Sequence, residues 1–313
     1  MNEPDPAIMV CPCKRRKDIL LESGRIVCSA EDCENSSGFP VQNGQPLLIA
    51  FEEETIFARN DYVDGDQRSS LPERERGAIG SLVRTMLGVR VGRTAANISP
   101  ALAELASGAR VLIVGGGTVG NGLEALYGRS DLRIHAFDVY PSSNIEIIAD
   151  AHSMPYRGEV FDLVVIQAVL EHVLEPDRVV SEIHRVLKPG GIVYSEVPFM
   201  QAVHEGAYDF ARFSLSGHIW LFREFAVEAS GPHGGPAVSL AWAIKYLVWA
   251  VFGRRLGQAA FALVFPPLAL FERLLPEQRQ VDAASGSWLR ARKSGAPALG
   301  ARNVPALYRG MQC

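Results

Sequence analysis

The run Val111-Leu112-Ile113-Val114-Gly115-Gly116-Gly117-Thr118-Val119-Gly120-Asn121-Gly122 sets four β-favouring residues against a glycine-rich turn. That is the pattern of a buried strand feeding a loop and then a helix. Glycine has no Cβ, so such a loop can take positive φ and let a ligand lie against its backbone. The helix expected behind it would aim free N–H groups at a phosphate or a carboxylate. Gly115, Gly117 and Gly120 also satisfy the G-x-G-x-x-G spacing of a dinucleotide-binding loop. On the motif alone, a dinucleotide site and a merely structural turn both remain open.

Outward from this loop, β-rich runs alternate with helical ones, as in a parallel sheet covered by helices. Strands are expected at Arg110 to Val114, Arg133 to Phe137, Ile145 to Ile148, Phe161 to Gln167 and Gly191 to Val197. Val179, Val180, Ile183, Val186 and Leu187 recur at helical spacing, and Lys188-Pro189-Gly190-Gly191 ends that helix. The second strand ends at Asp138, whose carboxylate can accept both hydroxyl hydrogens of a ribose, whether of a dinucleotide or of S-adenosylmethionine. An Asx turn before Pro141 is the structural alternative.

Four stretches in order, across residues 108 to 200, resemble the class I S-adenosylmethionine-dependent methyltransferases, in particular methyltransferases of type 11. They are the glycine loop, Asp150-Ala151-His152-Ser153-Met154-Pro155, Phe161-Asp162-Leu163-Val164-Val165-Ile166-Gln167, and Leu170-Glu171-His172-Val173 through Arg185-Val186-Leu187-Lys188-Pro189-Gly190-Gly191. The resemblance implies a Rossmann-like α/β sheet with helices on both faces and S-adenosyl-L-methionine as cofactor. It places Gly115, Gly117, Gly120, Asp138 and Gln167 at the cofactor, with Asp150 and the backbone from Ala151 at the adenine. The family's usual acid two positions before the first glycine is replaced here by Ile113.

Methyl transfer is an in-line displacement at a sulfonium methyl, so a nucleophile must be aligned opposite sulfur and, where needed, deprotonated. Groups past the fourth and fifth strands are Gln167, Glu171, His172, Glu196, His204, Glu205, Tyr208, Asp209 and Arg212. The polar stretch from Gln201 to Phe213 is expected to cover the pocket. His204 is the first candidate for general base, and Tyr208, Asp209 and Arg212 complete the catalytic set. Arg212 could clamp an acidic substrate with its two-pronged guanidinium; a salt-bridged loop that only closes the site is the alternative.

Cys11, Cys13, Cys28 and Cys33 crowd into a segment with too little core to stand unaided, which suggests a structural Zn(2+) ion held by four thiolates. With the later run from Gly38 to Leu48, the segment resembles the zinc ribbon of the small activator subunit of tRNA and release-factor methyltransferases. Its C-x-C and C-x4-C pairs depart from that family's C-x-x-C pairs, and free thiols stay open.

Residues 237 to 271 are almost wholly apolar, with aromatic residues and with Lys245, Arg254 and Arg255 as basic punctuation. Each half is shorter than the roughly 18 to 20 apolar residues of a membrane span. A helical hairpin is expected, shielded by a membrane surface or by a second chain, or packed within the domain. The stretch Gly286 to Lys293 is expected as the last strand, which makes the hairpin an insertion. The divisions expected are a zinc-ribbon-like domain over 1–59, a linker and approach helix over 60–107, the cofactor domain over 108–236, the apolar insertion over 237–275, and a final strand and tail over 276–313.

A net charge of −4 with 48% hydrophobic residues gives no field that would attract nucleic acid. No secretory leader is visible, so the cytoplasm is expected, with contact at the inner face of the membrane left open. Three functions compete. A methyltransferase acting on a small-molecule, glycan or lipid-linked acceptor stands first. The others are an NAD(P)-dependent Rossmann enzyme and a non-catalytic docking protein.

Overall fold

The computed structural model describes residues 4–22, 24–52, 55–59, 62 and 93–312. Most of the expected linker and approach helix, residues 60–61 and 63–92, and the terminal Cys313 lie outside the described residues. In chain order the strands and α-helices are β1 (Ile19–Glu22), β2 (Arg25–Cys28), β3 (Val41–Gln42), β4 (Gln45–Leu48), α1 (Thr94–Glu104), β5 (Arg110–Val114), α2 (Glu124–Tyr127), β6 (Arg133–Asp138), β7 (Ile147–Ala149), β8 (Phe161–Gln167), α3 (Pro176–Val186), β9 (Leu187–Pro198), α4 (Leu215–Leu221), β10 (Ala226–Gly234), α5 (Pro236–Phe252), α6 (Arg254–Glu272) and β11 (Gly286–Arg292).

Among the described residues, nine strands form one sheet in the order β10-β11-β9-β8-β5-β6-β7-β4-β3. The six from β9 to β4 are parallel, and β11, β10 and β3 are antiparallel to their neighbours. Side chains alternate across a strand, and here both faces are buried, so the central strands read as unbroken apolar runs. Leu112 and Val114 of β5, with Val164 and Ile166 of β8, pack on one face beneath Val179, Ile183 and Val186 of α3. Val111, Ile113, Leu163 and Val165 pack on the other, under Ile98, Ala101 and Leu102 of α1. The expected α/β sheet with helices on both faces is what the chain forms.

β7 starts at Ile147 rather than Ile145, and β9 starts at Leu187, which the helical spacing puts on α3, rather than at Gly191; three further features differ from the sequence reading. The glycine loop does not run into a long helix: α2 is one turn beginning at Glu124, because Gly122, at φ +82°, turns the backbone away first. The apolar insertion parts at Gly253 (φ +90°), within the Gly253 to Gly257 stretch where a break is expected, but α6 then continues through Pro266-Pro267, where the sequence suggests a second break. The carbonyls these prolines leave without donors, on Ala262 and Leu263, belong to exposed residues that water can reach.

The third difference is that the cysteine segment shares the core. It has its own two-stranded sheet, β1 with β2, but Leu48 of β4 pairs with Ala149 of β7, so β4 extends the main sheet. Ile8, Met9, Cys11, Cys28 and Leu48 are buried in the same cluster as Leu112 and Phe137. The segment should therefore unfold with the sheet. Leu48→Ala, at a fully buried site, should cost about 2–5 kcal/mol and lower the midpoint of a single cooperative transition in urea. A separate early transition confined to the cysteine segment would contradict this.

Candidate active site

Because β5 to β9 are parallel, their carboxyl ends lie along one edge of the sheet. The chain order reverses between β5 and β8, and the crevice outside such a switch point is where open α/β sheets bind ligands. The glycine loop occupies it. Gly115 turns the chain at φ +75°, and the amides of Gly115 and Gly116 both donate to Phe137 O, at 3.0 and 2.9 Å, anchoring the loop to β6. Gly117 N donates to Asp138 Oδ2 at 2.9 Å. A Cβ at position 117 would stand 2.7 Å from that oxygen, so only glycine allows the approach. Asp138 also accepts from Tyr140 N at 3.3 Å. Burial raises its carboxyl above the ordinary value, opposed by these backbone donors.

Gln167 closes the other side of the loop, donating from Nε2 to Asn121 O at 3.2 Å and to Glu196 Oε2 at 2.5 Å. The structure thus brings together Gly115, Gly117, Gly120, Asp138 and Gln167. Asp150 and Ala151 lie one strand farther out, both buried. The Asp150 oxygens are engaged, Oδ1 by His152 N and Nδ1 at 2.9 and 2.6 Å and Oδ2 by Thr55 Oγ1 at 2.9 Å. Burial works to raise this carboxyl, and those donors outweigh it, leaving it below the ordinary value.

The sequence reading gave no special place to Glu196. It is buried at the end of β9 on the face that Ile113 also lines, and it accepts from Tyr194 Oη, from Thr94 Oγ1 at 2.7 Å and from Gln167. His233 Nδ1 lies 3.3 Å away. Burial opposes its ionisation, but the His233 charge and these donors hold the carboxyl down at about 2. This acid stands beside Gln167 near the carboxyl end of β9, on the sheet face where Ile113 supplies none.

Beyond Gln167, Glu171 and His172 sit in a short 3-10 turn after β8. The Gln201 to Phe213 loop folds onto that turn through Phe210 N and Glu171 O, 2.7 Å apart. His204 and His172 meet edge to face with centroids 4.9 Å apart. Burial and then the neighbouring His172 push His204 down to about 4, so it is neutral near pH 7. Burial also lifts Glu171 to about 8. His204 Nδ1 lies 3.2 Å from Asp209 Oδ2. Tyr208 uses its carbonyl, 2.7 Å from His172 Nδ1, and its ring is partly exposed.

Arg212 is not free to clamp a substrate. Its guanidinium grips Asp209 through both carboxylate oxygens and donates to Gln201 O at 2.8 Å and Ala202 O at 3.2 Å. It fastens the loop from within. The expected general base therefore has a buried neighbour, Glu171, whose part the sequence did not reveal.

Away from this edge, Cys11, Cys13, Cys28 and Cys33 bring their sulfurs within 4.8 Å of one another. Cys11 Sγ and Cys33 Sγ are 3.8 Å apart, the spacing of roughly 3.8 Å that two sulfurs at about 2.3 Å from a tetrahedral zinc would have. One sulfur from each cysteine pair thus stands at the required spacing, and the four residues fit the metal.

Residues 112–195 match a family described as "Methyltransferase domain". Over 69 residues the chain is 38% identical to the ubiquinone/menaquinone biosynthesis C-methyltransferase UbiE of Neisseria meningitidis, a stretch that is 22% of this chain and 28% of that protein. Over 86 residues it is 33% identical to the mitochondrial 2-methoxy-6-polyprenyl-1,4-benzoquinol methylase of Caenorhabditis elegans, covering 26% and 30% of the two. The chain thus spans under a third of these relatives' length. Among solved structures, phosphoethanolamine N-methyltransferase 2 of Haemonchus contortus aligns with 71% of this chain and 58% of its own at 16% identity and a TM-score of 0.44. The residues that match the methyltransferase domain, 112–195, are those that carry the glycine loop at the switch point of the parallel sheet.

Proposed function

We propose that the protein transfers a methyl group from S-adenosylmethionine to an acceptor carried on a lipid. The cofactor half rests on the loop. A pyrophosphate needs a helix N-terminus behind the glycines, and here a one-turn helix begins only at Glu124, which weighs against NAD(P). A ribose needs a carboxylate, and Asp138 lies beside Gly117. The adenine would lie near Asp150 and Ala151, and the methionine end near Gln167 and Glu196. Asp138→Ala should weaken S-adenosylhomocysteine binding in calorimetry by about 30- to 150-fold, the loss of roughly 2–3 kcal/mol expected for a two-point hydrogen bond to a charged group. Unchanged affinity would remove Asp138 from the site.

The acceptor half rests on one observation, the seat of the apolar hairpin. Tyr246 of α5 donates to Val203 O in the acceptor loop at 3.0 Å. From there an apolar surface extends over Leu247, Val251, Phe252, Leu256, Leu263 and Leu270, each at least half exposed, with Val203 and Phe210 beside the acceptor site also exposed. No helix among the described residues is long and apolar enough to cross a membrane, so the hairpin would lie on the surface rather than span it. Arg254 and Arg255, both exposed at its tip, suit anionic headgroups. Lys245 is instead folded over Trp242, its ammonium 4.4 Å from the ring centroid.

The intact protein should sediment with anionic liposomes, and L247E/L263E should not, while both bind S-adenosylhomocysteine alike. Dimers that this double substitution dissolves, without liposome binding, would assign the face to a second copy and overturn the lipid reading.

The four cysteines would hold one structural zinc, with no open position for catalysis. Protein purified without added metal should contain about one zinc per chain. Cys13→Ser should lose it and loosen the segment around β1 and β2. Absence of zinc from reduced protein would refute the assignment.

A further inference from the structure

Beside the methyl acceptor position, three side chains turn acceptor atoms toward one another. Glu171 is completely buried, and neither of its carboxylate oxygens has a hydrogen-bond partner on another described residue. His172 Nδ1 is 2.7 Å from Tyr208 O, and His204 Nδ1 is 3.4 Å from Ala202 O and 3.2 Å from the Asp209 carboxylate that Arg212 grips. Carbonyls and carboxylates only accept, so both imidazoles carry their hydrogen on Nδ1 and present a bare Nε2. Those two Nε2 atoms lie 3.7 and 3.9 Å from Glu171 Oε1. Three potential ligand atoms thus converge, and the one proton available among them is that of the Glu171 carboxyl. The separations are too long for a shared proton to join them as hydrogen bonds.

A cation resolves this convergence. Ligand atoms at about 2.0–2.2 Å from a tetrahedral ion stand roughly 3.4 Å apart, so the two spacings to Glu171 are within about half an ångström of that value, and all three residues offer ligand atoms within 4.8 Å of one another. The outer contacts are those of metal-bound histidines, whose second nitrogen donates to a carbonyl or a carboxylate. Two imidazoles with one carboxylate favour a first-row transition ion over magnesium or calcium, and three protein ligands leave positions open for substrate.

We propose that Glu171, His172 and His204 bind a divalent transition-metal ion that holds the acceptor's oxygen, which makes the reaction an O-methylation. The ion lowers the pKa of a bound hydroxyl, which releases its proton to water. The oxygen then forms the new bond to the methyl carbon as the S–CH3 bond breaks. Its electron pair goes to sulfur, leaving neutral S-adenosylhomocysteine. The methylation step rests on the cofactor reading above; the metal site stands on its own geometry.

Cobalt(II) reports this site separately from the cysteines, because thiolate ligation gives strong near-ultraviolet charge-transfer bands and histidine–carboxylate ligation gives only weak visible ones. Titration of metal-stripped full-length protein should show both, one ion each. Glu171→Gln and His204→Ala should each weaken the second ion at least tenfold and keep the thiolate bands. Retention of those bands shows that a variant is folded, and His204, being partly exposed, is the safer of the two. A titration with thiolate bands alone, or a second ion that neither variant disturbs, would overturn the proposal. Calorimetry with S-adenosylhomocysteine on the unaltered protein separates the two readings. Cofactor binding without the second ion sinks the metal site alone, whereas the second ion without cofactor binding keeps the metal site and sinks the methylation.

Discussion

Burial of the parallel strands on both faces is the constraint from which the rest follows. A strand apolar on both sides has no room for a polar side chain in its middle, since an unpaired polar group there would cost roughly 1–3 kcal/mol or more. In β8 the polar residues stand only near the two ends. Asp162 accepts from Arg110 N at 2.8 Å and from Lys188 Nζ at 2.8 and 2.9 Å, and Gln167 enters the crevice. The same exclusion places Asp138, Asp150 and Glu196 at or just beyond strand ends. A site on this sheet can form only along its edges, and the parallel direction selects the carboxyl edge. One polar pair that does enter the interior is matched on one side: His135 of β6 meets Glu146 at 2.9 Å and Tyr156 Oη donates to the same oxygen at 3.1 Å, while His135 Nε2 and Glu146 Oε2 are buried with no hydrogen-bond partner among the described residues.

That buried pair lies next to the place where the cysteine segment docks. Met9 bridges to Tyr156, and Arg157 N donates to Ile8 O at 2.8 Å. The segment covers apolar surface and gives β7 a partner strand, so the edge beyond β7 is not left open to another chain. Its continuation also reaches the cofactor edge, because Thr55 binds the Asp150 carboxylate.

What the sequence disclosed follows from how local each signal is. The limits of β5 and β8 were legible to the residue, because a β-branched run ended by glycine or by a polar residue depends on nothing distant. The helix after the loop was not, since the turn at Gly122 depends on Thr94, whose Cβ would lie 2.8 Å from a Cβ there. Strand β10, whose register against β11 shifts between Val227 and Ala229 and again between Pro232 and Gly234, shows no alternation to read. The partners of Arg212 and the meeting of His204 with Glu171 and His172 are tertiary facts, formed when the 201–213 loop folds back.

Topology also explains why an apolar hairpin and an acceptor loop are neighbours at all. Gly234, at the end of β10, pairs with Gly286 at the start of β11, and Gly286 pairs with Pro198 at the carboxyl end of β9. Any chain inserted between β10 and β11 must therefore leave and re-enter the sheet beside the strand ends that carry Glu196 and lead to His204. The root of the hairpin is fixed there by Glu272, which accepts from Gly235 N at 2.6 Å and Val238 N at 3.0 Å. With its root tied to the sheet edge and Tyr246 tied to the acceptor loop, the exposed helices can reach outward only from the mouth of the site. A surface that binds this hairpin is thereby brought to the crevice by the connectivity of three strands.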